Sequence, residues 1–194
     1  MEGLSIRERS FIYTWFVSLL GRELSESQLQ QIKSGVFEPL FTFMQELGFQ
    51  EKIQSLQQAF DACMALEYPH LELAADYAQL FLLEGELSAL PYASAYLTEA
   101  ETESHLKGLE HYLLKLELMP NREYHEPVDH LCIYLEVLIH LLERDEQEAR
   151  RFAEDYIFSW LPTLVGKLNE KKRKNSFYAL LVNLLFDFIR RDLS

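Results

Sequence analysis

The chain has 194 residues and a mass of 22.8 kDa, enough for one compact domain or two small halves sharing an interface. Apolar residues make up 48%, which excludes a disordered chain, and only 7 glycines and 6 prolines argue against a turn-dense all-β design. With 31 acidic and 18 basic residues the formal charge is −13, so the surface repels nucleic acid and anionic lipid and favours cationic partners.

The chain is well punctuated for helices. Ser5-Ile6-Arg7-Glu8 reads as a capping box, with Ile12, Trp15, Phe16, Leu19 and Leu20 at helical spacing behind it and Gly21 as the stop. Ser25-Glu26-Ser27-Gln28 opens a second short helix that ends near Gly35. A third is predicted over 38–47, stopped by Gly48, and a fourth over 50–67 carries Ile53, Leu56, Phe60, Cys63 and Met64 on one face. Pro69 suits the first position of a fifth helix through Leu73, Tyr77, Leu80 and Phe81.

Residues 84–97 contain Gly85 and Pro91 and no start signal, so they are expected to form a structured loop. Thr98-Glu99-Ala100-Glu101 caps a helix predicted to reach about Met119, before Pro120. The polar stretch 120–126 is the candidate hinge. Pro127 is expected to restart a helix through Leu142, Asp145-Glu146-Gln147-Glu148 to open another, and 175–191 to form the last long one. Lys171-Lys172-Arg173-Lys174 is expected to be a solvated turn. No alternating apolar stretch suggests a strand. The expected fold is all-α, with about eight to ten helices. Its expected halves are 1–119 and 127–194, joined by the hinge 120–126.

Cys63 and Cys132 are far apart and form no CxxC, so neither a disulfide scaffold nor a zinc ribbon is expected. Phe11 to Leu20 is too short for a membrane span and is interrupted by Thr14 and Ser18; Phe177 to Ile189 carries Asn183 and Asp187. The expected location is the cytoplasm. His125 and His130 are five residues apart with Pro127 between them, whereas a helical zinc pair needs an i, i+4 spacing, so no metal is expected. Neither GxSxG, a P-loop nor GxGxxG occurs, and no catalytic residue is assigned.

Two segments remain. In Glu126-Pro127-Val128-Asp129-His130, Glu126 would cap the helix and Asp129 would be its third residue, where the helix dipole favours a carboxylate. Capping alone accounts for such a pattern; the sharper reading presents Asp129 and His130 to a ligand beside the hinge. In Leu90-Pro91-Tyr92-Ala93-Ser94-Ala95-Tyr96, two tyrosines either anchor the loop or line a groove. From Glu84 to Asp129 there are ten acidic and three basic residues, which suits a groove for a peptide basic at one end and apolar at the other.

These segments, with Leu71-Glu72-Leu73-Ala74-Ala75-Asp76-Tyr77, Leu80-Phe81-Leu82, Tyr134-Leu135-Glu136 and Trp160-Leu161-Pro162, resemble the redox-enzyme maturation chaperones of the TorD/DmsD/NarJ family. The Ala-Leu-Pro-Tyr-Ala-Ser-Ala-Tyr string from Ala89 to Tyr96 is similar to the TorD branch, where the wider family more often has a Pro-Pro-Trp type sequence. The resemblance implies a non-enzymatic, all-helical cytoplasmic chaperone for trimethylamine N-oxide reductase. Such a chaperone binds the apoenzyme and its twin-arginine signal peptide, keeps it competent for molybdenum-cofactor insertion and delays export. A related dimethyl sulfoxide or nitrate reductase is the alternative client. It also implies weak guanine-nucleotide binding, for which the sequence has no motif, and a monomer or a domain-swapped homodimer exchanging halves at the hinge.

On this reading the signal peptide and apoenzyme meet Asp76, Phe81, Tyr92, Tyr96, Glu126, Asp129 and His130. Asp129 would pair with an arginine, His130 would set the local hydrogen bonding, and Asp76 would add a second carboxylate. Two rivals stay open. One is a helical hydrolase built on Glu126, Asp129 and His130, which requires bound metal; the other is an adaptor with no preference for a twin-arginine peptide.

Overall fold

The computed structural model describes residues 4–83, 88–119, 127–170 and 176–193. Among them the fold is all-α. Helix α1 is Ile6–Leu20, α2 Glu26–Lys33, α3 Glu38–Met44, α4 Gln50–Met64, α5 Pro69–Phe81, α6 Glu99–Lys115, α7 Leu131–Arg144, α8 Glu146–Phe152, α9 Leu161–Glu170 and α10 Phe177–Leu193. A 3₁₀ turn at Ala93–Ala95 sits in the loop before α6, and π-helical turns cover Gln45–Phe49 and Ala153–Ile157.

The helix starts follow local chemistry. Ser5, Ser25 and Thr98 each cap a helix, accepting a hydrogen bond from the third residue, which reaches back to the cap. The Glu8 and Glu101 carboxyls accept bonds from both the hydroxyl and the backbone N–H of their caps, which lowers the pKa of each. Gly48, at φ 90°, breaks the chain between α3 and α4. The break is a π-helical turn rather than the clean helix stop predicted there. A Cβ at this glycine would also lie 2.8 Å from Nη1 of Arg191.

Three expectations change. The helix predicted to run to Met119 ends at Lys115, where Leu116 caps it and Glu117 turns to φ 58°. No helix starts at Pro127: α7 begins at Leu131 with His130 as its cap. Helix α9, with Pro162 in its first turn, had no expected counterpart. The hinge 120–126 and the basic run at 171–174 lie outside the described residues.

Helices α7 and α10 are apolar around most of their circumference because they form the centre. Val137, Leu138, Leu184 and Leu185 are fully buried, and burying each such side chain contributes roughly 1.5–3 kcal/mol. Helix α1 packs along α7, and α4, α5 and α9 pack on α10. Elements from before and after residues 120–126 therefore share one hydrophobic core.

The two ends of the described chain are tied together. Arg9 is 5% exposed and contacts the two Asp192 carboxylate oxygens through Nε at 2.8 and 3.0 Å; Tyr13 donates to Asp192 at 2.8 Å. Arg9 also reaches Glu146 at 3.1 Å; Arg150 donates to Glu146 at 3.0 Å and to the Leu193 carbonyl at 2.8 Å. Burial, followed by the Asp192 charge, pushes the Tyr13 phenol well up.

Candidate functional site

The two singled-out segments meet. The Ala93 N–H donates to the Asp129 carbonyl at 3.1 Å, and the Leu131 N–H donates to the Pro91 carbonyl at 2.8 Å. Tyr92 and His130 form an antiparallel bridge, with their rings edge-on at 5.3 Å. The Ser94 N–H donates to Asp129 Oδ2 at 2.8 Å. Residues 91–94 and 129–131 thus form a small clamp between the loop and the start of α7.

The expected assignment of Asp129 to the third helical position is corrected here. It precedes the helix, and its carboxylate holds the loop instead of facing the helix dipole alone. His130 takes the cap: its Nδ1 accepts from the Cys132 N–H at 3.1 Å, so in the neutral ring the proton sits on Nε2. Glu126, expected to be that cap, lies outside the described residues. Asp129 and His130 are 3% and 4% exposed. Among the described residues Asp129 has no cation at ion-pair distance, although a buried carboxylate calls for one.

Tyr96 follows the clamp, its N–H bonded to the Ala93 carbonyl at 2.9 Å. Its ring stacks on Trp160 at 6.0 Å, and its hydroxyl is buried with no hydrogen-bond partner. Burial pushes this phenol up. Tyr92 and Tyr96, both half-buried, are therefore loop anchors that keep part of their surface exposed.

Phe81 and Asp76 do not join this group. Phe81 is 1% exposed and sits edge-on to Tyr77 and Tyr178 in the core, so its ring is not at the surface. Asp76 is buried, and its charge acts on Cys63 and Tyr178. Helix α5 still serves the clamp at its end, where the Leu80 carbonyl accepts from the Ala89 N–H at 2.7 Å and anchors the start of the loop.

Behind the clamp is a small polar network. His105 Nε2 and the Tyr134 hydroxyl are 2.9 Å apart. Burial lowers the His105 pKa, and the nearby Asp129 charge pulls the other way. Burial raises the Tyr134 phenol, with Asp129 adding to the effect. His105 also lines an open cleft of about 370 Å³ together with Leu97, Glu101, Ser104, Asp155, Tyr156 and Ser159.

An acidic cleft with an aromatic wall thus adjoins the clamp, but its carboxylates are Glu101 and Asp155. Sequence reasoning read Glu101 only as a capping residue and did not single out Asp155 or Tyr156. The missing signal is three-dimensional: the π-helical turn Ala153–Ile157 carries Asp155 and Tyr156 to α6. Gly108 makes room there, since a Cβ on it would lie 1.9 Å from the Tyr156 hydroxyl.

Among the described residues, no three His, Cys, Asp or Glu side chains gather as metal ligands. Nor is any described helix long and apolar enough to cross a membrane.

The helical core and its clamp fall in a known class: the nitrate reductase delta subunit family matches residues 44–166. Chaperone protein TorD of Actinobacillus pleuropneumoniae serotype 3 (strain JL03) is 46% identical over 193 residues, covering 98% of this chain and 97% of the relative. The TorD of Pasteurella multocida (strain Pm70) is 44% identical over 193 residues, and that of Escherichia coli O7:K1 (strain IAI39 / ExPEC) is 32% identical over 202. The chain belongs to the TorD chaperone family. It is accordingly a chaperone, which acts by holding another polypeptide rather than by catalysis.

Proposed function

We propose that this chaperone serves a molybdenum-containing reductase in the cytoplasm, trimethylamine N-oxide reductase first and a dimethyl sulfoxide or nitrate reductase as the alternative. It binds the apoenzyme and its twin-arginine leader, keeps the enzyme open to cofactor insertion and delays export. The leader lies across the clamp. Its basic part enters the field of Asp129, Glu101 and Asp155, and its apolar part rests on Tyr92 and Tyr96. His130 holds the register of the clamp, while Asp76 and Phe81 act from beneath through the helix that anchors the loop. Glu126, outside the described residues, is kept as a further carboxylate for the leader.

One observation carries this reading. Asp129 is a buried carboxylate, bonded to backbone N–H of the loop and lacking a counter-cation among the described residues. An incoming guanidinium supplies that cation in a charge-assisted pair. Exchange of the segment 127–194 between two copies fits the same arrangement, because α7 and α10 would re-form their packing on the partner's helices.

The test is a titration of the leader peptide, once with its two arginines and once with lysines in their place, against the intact protein and Asp129→Asn. The proposal expects the arginine peptide to bind tighter, with a salt-dependent affinity that the variant weakens. Equal affinity for both peptides would favour the adaptor reading, and unchanged affinity and salt slope in Asp129→Asn would remove Asp129 from the site.

A further inference from the structure

Helix α5 is apolar on two opposite faces. Leu73, Tyr77 and Leu80 are at most 4% exposed and belong to the core. On the other side Leu71, Ala75, Ala78 and Leu82 recur at intervals of four, three and four residues, and Tyr68 at the cap extends the row. Tyr68 and Leu71 are each 60% exposed and Leu82 51%, while Ala75 is exposed and Ala78 half-buried. This spacing is that of a helix-pairing seam, and from Leu71 to Leu82 it runs about 16 Å, roughly three turns. A helix apolar all round is normally covered all round, and a regular apolar row left in water marks a contact surface.

The row's relief and its neighbours define what covers it. The two alanines at its middle let a facing helix approach closely, and the leucines at its ends close around that helix. Glu72 and Gln79 occupy the flanking positions on one side of the row, and Glu67 lies at its start; all three are exposed. Neither Glu67 nor Glu72 has an ion-pair partner among the described residues. Two copies of this chain meeting here would bring four carboxylates together and no cation from the row's flanks. The same carboxylates repel an anionic lipid surface.

We propose that this face of α5 takes an amphipathic helix of the held polypeptide, with aliphatic side chains against the row and lysine or arginine beside them. The apolar anchors seat between Leu71 and Leu82, and the cations answer Glu67 and Glu72. This contact rests on the reading that the protein holds a polypeptide, but it uses no side chain of the clamp.

The probe is a capped three-heptad peptide with leucine at a and d, lysine at e and g, and alanine or glutamine elsewhere. One control has the same composition in scrambled order, which keeps the charge without an apolar face; the other has glutamate for lysine. Fluorescence anisotropy with the intact protein is expected to show the lysine peptide binding roughly tenfold tighter than either control. The double variant Leu71→Gln, Leu82→Gln changes only exposed positions, so its denaturant midpoint stays near that of the parent while the advantage over the scrambled peptide is lost. Glu72→Lys narrows the preference for lysine over glutamate. A scrambled peptide that binds as well as the ordered one, or a double variant that binds it as the parent does, overturns the proposal. So does a dimer of the parent in sedimentation that the double variant abolishes, because the face then belongs to a second copy. If the leader still binds at the clamp and still responds to Asp129→Asn in those cases, the chaperone reading stands and only the α5 face is lost.

Discussion

The backbone N–H of Ser94 and the carboxylate of Asp129, 35 positions apart in the chain, are joined at 2.8 Å. This bond makes the loop after α5 and the entrance to α7 one unit. Shape and charge at the clamp are therefore set by the same side chain, and two substitutions separate them.

Asp129→Asn keeps an acceptor for Ser94 and removes the charge, whereas Asp129→Ala removes both. A hydrogen bond to a charged group contributes roughly 1.5–3 kcal/mol. Asp129→Ala is expected to lose stability of that order in urea unfolding and to speed amide exchange at Ser94. Asp129→Asn is expected to lose much less stability while still losing leader affinity. Equal stability losses in the two would show that charge, not the loop bond, dominates the folded role of Asp129.

The tie between chain ends gives a second expectation. Arg9→Met leaves the Asp192 carboxylate, 2% exposed, without its cation. Breaking one side of a buried pair costs roughly 3–5 kcal/mol, whereas neutralising both members costs much less. The double variant Arg9→Met, Asp192→Asn is therefore expected to recover most of the loss. Independent, additive effects in thermal unfolding would contradict the buried pair.

Close packing at the cleft gives a third. Alanine is favoured over glycine in a helix by about 1 kcal/mol, yet Gly108→Ala would put a methyl 1.9 Å from the Tyr156 hydroxyl. Tyr156 has little room to yield, since its ring lies on His105, Tyr112 and Phe152. The clash wins, for a net loss of roughly 1–3 kcal/mol. Adding Tyr156→Ala removes the obstacle, so Gly108→Ala should be far less harmful in that background when the two are compared by denaturant midpoint.

The sequence showed the helix starts where a capping box decides them: Ser5, Ser25 and Thr98 cap where their spacing to Glu8, Gln28 and Glu101 requires. It misled at Pro127. Proline fixes its own φ and permits a helix start, but residues 127–130 form a turn and the pairing of Asp129 and Leu131 with Ala93 and Pro91 keeps His130 extended, which defers the helix to Leu131. The pairing of Tyr92 with His130 was legible only as two suspicious segments in one acidic stretch. The arginine tie between the ends and the π-helical turn carrying Tyr156 depend on contacts between distant residues, which no local pattern encodes.

The last expectation concerns pH. Burial holds the His105 imidazole below its ordinary pKa of 6.5. The unfolded chain therefore binds the proton more readily than the folded one, and stability rises with pH through this window. The contribution of His105 is fully present above about pH 6.5 and is lost as the pH falls through the lower folded value. A protonated His105 also adds positive charge to the cleft shared with Glu101 and Asp155, and so opposes a basic peptide. Acidification below about pH 6.5 is thus expected to weaken both the fold and leader binding. His105→Asn should flatten both profiles, as measured by unfolding and by peptide titration across pH 5 to 8. If the binding profile keeps its slope in that variant while the stability profile flattens, the cleft is not where the basic part of the leader lies.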